Sequence, residues 1–560
     1  MRGKVLRVRW LGRVTYEEAH VLQHALHARD ADDHLLLLEH PHVFTVGVRG
    51  DTSHVLVDPA TVGAEIVRAD RGGDVTYHGP GQLVGYLIFD VPMGPDAVPD
   101  HVHGVEQVVI DTLAEFQLAG GRLPGYPGVW MGVEGAAPRK ICAVGVRVTK
   151  GRSMHGFALN VDPDLRWFDR IVPCGIPDKA VTSMSAEGVR VSMRDVVDVL
   201  VRHAQDRWAR DRASERQDVV SFAPEVSRRD RAGVSPEVVG APGGKLRVRL
   251  RQAGVDPREG LALSARKPPW LRVNARMGGG FLGLKRTVKD LSLVTVCEEA
   301  GCPNIFECWA QGTATFMING ERCTRACGFC LVDTRHPLPL DPREPQRVAE
   351  AVQRLGLEHA VVTAVTRDDL ADGGAGAFAS TVEAIRARCP GTSVEVLVPD
   401  CKGDREAISV MIASRPDVFN HNLETVARLQ RAVRPSAGYA RSLAVLALAK
   451  DAGLVTKSGM ILGMGESEEE VVGALADMRA VGVDIITLGQ YLRPSEAHLP
   501  VARFWTPDEF DRLREIGEGM GFSYVQSSPL TRSSYHAREA ARSSADGAHF
   551  ARPAHAAVLG

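Results

Sequence analysis

The sequence predicts an α/β protein made of two folded regions. Residues 1–211 form an α/β region organised around one sheet, and residues 266–540 form a partial parallel (β/α) barrel. Three observations predict this. The chain has 560 residues, well past the size at which a single hydrophobic core keeps growing. Residues 212–265 change the texture: they are rich in Arg, Gly, Pro and Ser with no sustained apolar period, and they read as a linker free to order partly against either neighbour. From residue 313 onward, short apolar runs alternate with amphipathic helical patterns, as a parallel sheet with helical crossovers requires.

Taken in order, the first region opens with the helical pattern TYEEAHVLQHALHAR and the apolar strand HLLLLEH. Gly-rich turns then alternate with β-rich runs such as VGYLIFDV and ICAVGVRV. In the second region the strands are ATFMI, HAVVTAV, SVEVLVPD, DVFNHN, VTKSGMILGMG, DIITLGQYL and SYVQSSP. Helices fall between them, including REPQRVAEAVQRLGL, SLAVLALAKDAGL and TPDEFDRLREIGEGMGF. In such a barrel the chemistry sits where strands end, so the polar residues just past each strand carry the interest. Residues 541–560 are expected to be a disordered tail.

Composition narrows the function classes. With 44% hydrophobic and 24% charged residues and a net charge of −2, nothing points to nucleic acid or to a membrane surface as a partner. The opening MRGKVLRVRWLGRVTYEEAH has no apolar stretch of signal-peptide length, and the expected location is the cytoplasm. In a reducing compartment clustered cysteines are metal ligands or nucleophiles sooner than disulfides.

Six of the ten cysteines lie within 297–330, CEEAGCPNIFECWAQGTATFMINGERCTRACGFC. They form two triplets, C-x4-C-x5-C and C-x3-C-x2-C. A structural zinc site would use four thiolates, but zinc knuckles pair their ligands as C-x2-C twice and neither triplet does. Three thiolates can instead hold three irons of a [4Fe-4S] cubane and leave the fourth iron open. The later triplet, CTRACGFC, follows the first barrel strand and resembles the cluster motif of radical-SAM enzymes, in which the open iron binds S-adenosylmethionine.

The likeness narrows further. CEEAGCPNIFECW, RKPPWLRVNAR, TRDDLADGGA, FNHNLETV, SGMILGMGE, LGQYLRPS and RSSYHA together resemble the lipoyl synthases over roughly 266–537. The resemblance implies a TIM-type partial barrel of the radical-SAM class with two [4Fe-4S] clusters. Cys323, Cys327 and Cys330 would hold the cluster that binds S-adenosylmethionine. Cys297, Cys302, Cys308 and Ser534 would hold an auxiliary cluster that is consumed as the sulfur donor. A serine oxygen is a harder iron ligand than a thiolate, which suits release; without the resemblance, Ser534 reads as a helix cap before YHAREAAR. The implied reaction inserts sulfur at C6 and C8 of an octanoyl chain. Those C–H bonds offer no acid or leaving group, so the cofactor's radical carries the hard step. Glu395, Asn420 and Asn422, at or past strand ends, are either S-adenosylmethionine contacts or structural residues of the barrel rim. Cys389 and Cys401 have no ligand spacing and read as ordinary packed thiols.

In the first region RGGDVTYHGPGQ reads on its own as a tight loop between strands. Further on come KICAVGVRV, HGFALNV and IVPCGIPDKAVTS. Cys174 lies between a proline and a glycine, where a side chain is presented rather than packed. A free thiol is only a few per cent ionised at neutral pH, so a nucleophilic cysteine needs a base or cation nearby; Lys140 offers one, or else it is a solvated strand-edge lysine. Together these segments, over roughly 5–205, resemble the octanoyl-acyl-carrier-protein:protein N-octanoyltransferases, whose fold is similar to biotin and lipoate protein ligases. The resemblance implies that Cys174 is the acyl-thioester nucleophile and that Lys140 lowers its pKa and handles the proton. Arg71, Gly72, Gly73, Asp74, Val75, Thr76, Tyr77 and His78 would line the acyl site. With them come Ala143, Val144, Gly145, Gly156, Phe157 and Ala158.

The two resemblances imply a fusion enzyme of lipoate assembly, an acyltransferase joined to a sulfurtransferase. Its implied partners are octanoyl-acyl carrier protein, the lipoyl domains of 2-oxoacid dehydrogenases, and the H-type protein of glycine cleavage. An electron donor of the ferredoxin or flavodoxin type and cluster-assembly proteins complete the set. Other readings make the N-terminal half an ATP-dependent lipoate ligase, leave one half inactive, or take the clusters as plain electron carriers.

Overall fold

The computed structural model describes residues 3–172, 180–219, 244–272, 279–299, 302, 304–310 and 313–550. The chain divides into two compact units, Met1–Glu225 and Val226–Gly560.

In the first unit the strands are β1 (Leu6–Arg13), β2 (Asp33–Glu39), β3 (Val43–Val46), β4 (Glu65–Arg68), β5 (Val75–His78) and β6 (Gln82–Ile88). They are followed by β7 (Gly120–Leu123), β8 (Tyr126–Met131), β9 (Arg139–Thr149), β10 (Arg152–Asn160), β11 (Ala180–Val181) and β12 (Ser214–Asp218). The large sheet runs β12-β1-β2-β6-β10-β9-β8-β7, with β11 also paired to β9. Helix α1 (Tyr16–Arg29) starts at a capping box in which Thr15 and Glu18 satisfy each other's backbone N–H groups. Helices α2 (Ala97–Glu115) and α3 (Met193–Trp208) bury Val105, Val109, Leu113, Val197 and Leu200 against Leu6, Val8, Leu35 and Leu87 of the sheet. Each such side chain contributes roughly 1.5–3 kcal/mol of burial free energy.

The expectation of one sheet is corrected. Strands β4, β3 and β5 form a separate three-stranded sheet in that order. The Gly79-Pro80-Gly81 turn after β5 passes the chain from the small sheet to the large one. Gly81 sits at φ +84°, and a Cβ there would lie 2.3 Å from the Asp162 carbonyl oxygen. Four-residue strands are too short to show a period in sequence, so VTYH read as part of a loop.

The linker segment orders against its neighbour at each end. Ser214–Asp218 forms β12, which pairs in parallel register with β1 and is tied to it by ion pairs from Arg7 and Arg9 to Glu215. An edge strand with polar side chains carries no apolar signal, which hid it. On the far side, Gly244–Gln252 is helical and Leu261 bridges Val501. Residues 220–243 lie outside the described residues.

The second unit contains β13 (Val294–Thr295), β14 (Thr313–Ile318), β15 (His359–Ala364), β16 (Ser393–Leu397), β17 (Val418–Asn420), β18 (Val455–Leu462), β19 (Ile485–Gln490) and β20 (Tyr524–Ser527). They pair in sequence order, all parallel except β13, which runs antiparallel to β14. All seven strands predicted from the sequence are present, and among the described residues β20 does not pair back to β13, so the barrel is partial. Helices Glu344–Leu355, Ala375–Arg388, Arg405–Ala413, Tyr439–Asp451, Glu468–Ala480 and Pro507–Gly519 occupy the crossovers. Capping boxes at Ser467/Glu470 and Thr506/Glu509 start two of them.

The expected tail is corrected too. Ala537–Phe550 is a helix whose Ala540 packs with Val418 and Ile485, so an apolar anchor carries order beyond 541. Residues 551–560 lie outside the described residues. Among the described residues no helix is long and apolar enough to cross a membrane.

Candidate functional site

In the first unit the Arg71–Asp74 loop joins β4 to β5 and is strapped to its surroundings by its own backbone. Val48 N–H donates to Arg71 O at 3.1 Å, Gly47 N–H to Asp74 O at 3.2 Å, and Gly72 N–H to Val146 O of β9 at 3.2 Å. Arg71 is buried and turns inward, donating from Nη2 to both the carbonyl and the hydroxyl of Thr45 at 2.7 Å. The last contact with β9 puts the loop beside Gly145, where an added Cβ would lie 3.3 Å from Gly72 O. Strand pairing does the rest. Gly156 faces Gly145, Phe157 faces Val144 and Ala158 faces Ala143 across β10 and β9. A Cβ on Gly156 would lie 2.2 Å from the Gly85 carbonyl, so only glycine fits there. The Arg71–Gly72 end of the first predicted acyl-site segment therefore meets the other two at Gly145, whereas Val75 and Tyr77 of β5 are buried with Phe44 and Trp167 in the core of the small sheet.

A polar relay leads from His78 to Lys140. His78 Nδ1 meets Gln82 Oε1 at 2.7 Å, and Gln82 Nε2 donates to Asn160 Oδ1 at 2.9 Å. Asn160 Nδ2 donates to Thr182 O at 2.9 Å, and Thr182 N–H donates to Lys140 O, also at 2.9 Å. Lys140 is not on a sheet edge: Val181 of β11 and Trp130 of β8 both pair with it, and its Nζ sits 4.7 Å from the Trp130 ring centroid. Cys174 lies outside the described residues, within 173–179. Its flanks are held nonetheless. Val172 N–H donates to His54 O at 2.8 Å, His54 Nδ1 meets Asp74 Oδ2 at 2.6 Å, and the chain returns at 180 and 181 beside Arg139 and Lys140. Cys142, two residues from Lys140, is fully buried, and burial pushes its thiol well up, which leaves it inert.

In the second unit the loop after β14 carries CTRACGFC. Backbone bonds lay it across three neighbours: Cys323 N–H to Asp333 O at 2.8 Å, Thr324 N–H to Thr366 O at 3.0 Å, and Gly328 N–H to Val433 O at 2.8 Å. Arg325, inside the motif, forms ion pairs with Asp368 at 2.7 Å and Asp400 at 2.7 Å. Sequence reasoning missed this clamp, because the acids follow two other strands and only the fold brings them together. Burial, and then the neighbouring thiols Cys327 and Cys323, push the Cys330 thiol up to about 12. Burial likewise raises Cys327, partly offset by Arg434. Two buried thiols raised in this way, with Cys323 beside them on the same loop, are soft donors that ionise readily only around a cation, and the three fit an iron-sulfur cluster. A cleft beside Cys327 is lined by Arg325, Thr366, Asp400, Arg434 and Ser436.

The earlier triplet meets the C-terminal RSSY segment. Cys308 is buried in the short helix Ile305–Ala310, and Cys302 is raised by burial and lowered in part by Arg532. Asn304 Nδ2 donates to Leu530 O at 2.6 Å, and Tyr535 OH lies 3.3 Å from both carboxylate oxygens of Glu307. Ser534, half-buried, stands between Arg532 and Tyr535. The Cys297 side chain lies outside the described residues, although its backbone is helical.

Of the three suggested S-adenosylmethionine contacts, Glu395 and Asn420 are fully buried in the barrel and already engaged. Lys457 Nζ donates to Glu395 at 2.9 and 3.0 Å, and Asn420 Nδ2 donates to it at 2.9 Å. Asn422, also buried, donates to Glu424 at 3.0 Å and to Ser533 at 2.7 Å, which links it to the RSSY segment. Cys401 is buried at φ +42°, and Cys389 caps a helix end, neither near another cysteine of a triplet in sequence.

Comparison with known proteins adds to this geometry. The lipoyl protein ligase A/B catalytic domain matches residues 15–205, and the radical SAM superfamily matches residues 317–478. A lipoyl synthase from Rubrobacter xylanophilus is 58% identical over 288 residues, which are 51% of this chain and 90% of that protein. The chain belongs to the lipoyl synthase family. Lipoyl synthase from Mycobacterium leprae is 54% identical over 272 residues, covering 49% of this chain and 87% of the relative. Among solved structures, a bi-partite lipoate protein ligase from Thermoplasma acidophilum is 16% identical, covers 39% of this chain and 89% of its own, and superposes with a TM-score of 0.33. The predicted fusion stands in outline: a ligase A/B-type catalytic domain precedes a radical SAM domain with lipoyl synthase relatives. Radical SAM and lipoyl synthase kinship implies S-adenosylmethionine and [4Fe-4S] chemistry, and the Cys323, Cys327, Cys330 donor set fits it.

Proposed function

We propose that the chain performs two consecutive steps of protein lipoylation. Its first unit transfers octanoate from acyl carrier protein to a lysine of a lipoyl domain, and its second unit inserts sulfur at C6 and C8 of that octanoyl chain. The observation that carries the reading is the presence on one chain of a ligase A/B-type catalytic domain and a lipoyl synthase relative.

In the transfer step the Cys174 thiolate attacks the octanoyl thioester carbonyl and the carrier's thiol leaves with a proton. One thioester replaces another, so this costs little. The lipoyl-domain lysine amine then attacks the acyl-enzyme, the amide forms and Cys174 departs. Lys140 is suited to stabilise the thiolate and to move the proton, because β11 brings the chain back from the Cys174 segment directly beside it. Gly145 and Gly156 let the backbone approach the acyl chain closely, and the inward-turned Arg71 holds the facing loop.

In the second unit Cys323, Cys327 and Cys330 hold one [4Fe-4S] cluster, and Cys297, Cys302, Cys308 and Ser534 hold the other. When bound, these clusters and S-adenosylmethionine supply the hydrogen-abstracting radical and the two sulfurs. Arg325 fixes the first loop through Asp368 and Asp400. Arg532 places a buried positive charge against Cys302, which favours the thiolate form of that ligand. The lipoyl domains would be those of 2-oxoacid dehydrogenases and the glycine cleavage H-type protein, with a ferredoxin- or flavodoxin-type donor supplying electrons and cluster-assembly proteins restoring the spent cluster.

The test is octanoyl transfer from acyl carrier protein to an apo lipoyl domain by the intact chain, with and without ATP. Transfer without ATP that disappears in Cys174→Ser is expected. Transfer that needs ATP and survives Cys174→Ser would make the first unit a ligase acting through an acyl-adenylate.

A further inference from the structure

His20 and His24 have no part in either reaction. They lie four residues apart on α1 and therefore share one face of that helix. Asp70, the residue before Arg71, meets them there. His20 Nε2 is 3.1 Å from His24 Nε2 and 3.2 Å from Asp70 Oδ1, while His24 Nε2 is 3.3 Å from Asp70 Oδ2.

The two nitrogens, and the carboxylate oxygen that each one faces, Oδ1 for His20 and Oδ2 for His24, stand at the separations of neighbouring ligands around one ion. Zinc bonds to imidazole nitrogen and carboxylate oxygen of ~2.0–2.1 Å, arranged tetrahedrally, put neighbouring ligand atoms about 3.3 Å apart. Protons cannot satisfy the same three contacts. Each Nε2 carries at most one hydrogen and the carboxylate carries none, so a hydrogen directed along one edge leaves another edge with like groups facing. If His24 donates to His20, then His20 turns a lone pair toward Asp70; if both donate to Asp70, two N–H groups crowd each other. A cation at the centre takes all three lone pairs at once.

The surroundings hold the carboxylate in place. His155 Nε2 lies 2.7 Å from Asp70 Oδ1, and its backbone N–H donates to Gln23 Oε1 of α1 at 2.7 Å. A hydrogen-bonded partner behind a ligand fixes the ligand's orientation. Arg147 also pairs with Asp70, through Oδ2, and its charge opposes a cation, so the affinity is moderate rather than extreme. His20, His24 and Asp70 are 32%, 42% and 24% exposed at the side chain, which leaves an entry path for an ion.

We propose that His20, His24 and Asp70 form a binding site for a borderline divalent cation of the Zn2+ type, with water in the remaining position. Such an ion ties α1 to the loop that carries Arg71, and so braces the frame of the acyl site without touching the reacting atoms.

Zinc counting tests it. The intact chain, with its cysteines occupied by iron-sulfur reconstitution, is stripped on a chelating resin, incubated with zinc chloride, desalted and assayed by mass spectrometry of the metal. His24→Ala, His24→Gln and the His20→Ala/His24→Ala pair are treated alongside. The wild type is expected to retain one zinc per chain more than each variant, in a first shell of nitrogen and oxygen only by X-ray absorption. Zinc is also expected to raise the thermal midpoint of the wild type and leave that of His24→Gln unchanged. Equal zinc in the wild type and His24→Gln, a sulfur shell around the retained zinc, or a wild-type midpoint indifferent to zinc would each overturn the site.

Discussion

Asn304 donates its side-chain amide to the carbonyl of Leu530 at 2.6 Å, across 226 residues of sequence. It belongs to the CPNIFEC stretch, and Leu530 leads into RSSY, so the bond ties the segment that carries Cys302 and Cys308 to the segment that carries Ser534. Tyr535 and Arg532 reinforce it from either side of Ser534.

Ser534→Ala is therefore expected to separate two activities. The variant should still cleave S-adenosylmethionine to 5′-deoxyadenosine, because Cys323, Cys327 and Cys330 are untouched, while sulfur insertion falls by more than the roughly 10–100-fold that losing a partner behind a metal ligand costs. Liquid chromatography of both products in one reaction reads the split; parallel loss of both, or of neither, speaks against the assignment.

Lys140→Met should slow octanoyl transfer by roughly 10²–10⁴-fold, the range for removing a positioned proton-transfer group. The residual rate should rise with pH more steeply than the wild type, as the thiol must then ionise unaided. A transfer assay across neutral to alkaline pH reads both effects, and an unchanged profile removes Lys140 from the mechanism.

Fully buried Lys457 and Glu395 form an ion pair at 2.9 Å inside the barrel. Lys457→Met leaves a buried carboxylate without its cation and should cost about 3–5 kcal/mol, whereas the added change Glu395→Gln should recover part of the loss. Denaturant unfolding of the single and double variants measures it.

Burial, offset only in part by the bond to the Val14 carbonyl, pushes His40 down to about 4. The unfolded chain, with an ordinary imidazole near ~6.5, takes up the proton first. Stability that depends on neutral His40 is then whole above about 6.5 and is lost as pH falls toward the folded value, a loss of roughly 3 kcal/mol at about 1.4 kcal/mol per pKa unit. Urea midpoints followed downward from neutral pH should decline more steeply in the wild type than in His40→Gln. Parallel declines would show that His40 does not contribute.

The barrel was legible because its strands are short, largely apolar runs separated by helical patterns, two of them opened by capping boxes at Ser467/Glu470 and Thr506/Glu509. The small sheet of β3, β4 and β5 and the edge strand β12 were not, since four-residue and polar strands carry no period. Both cysteine triplets and the acyl-site segments were readable as motifs, and the fold brings Arg71, Gly145 and Gly156 together as they suggested. The Arg325 clamp on Asp368 and Asp400 was invisible, because its partners follow separate strands and only parallel pairing brings them into reach. Glu395 and Asn420 stayed open in sequence between a ligand contact and a structural role, because a polar residue near a strand end reads the same either way until its buried partner, Lys457, is seen.

The central claim is that one chain both attaches and sulfurates the octanoyl group. Mass spectrometry of an apo lipoyl domain incubated anaerobically with the reconstituted chain, octanoyl-acyl carrier protein, S-adenosylmethionine and a reductant tests it most directly. The account predicts a species heavier by one octanoyl group, followed by one heavier again by two sulfurs less two hydrogens. A domain that stays unmodified, or that stops at the octanoyl stage while 5′-deoxyadenosine accumulates, would contradict it.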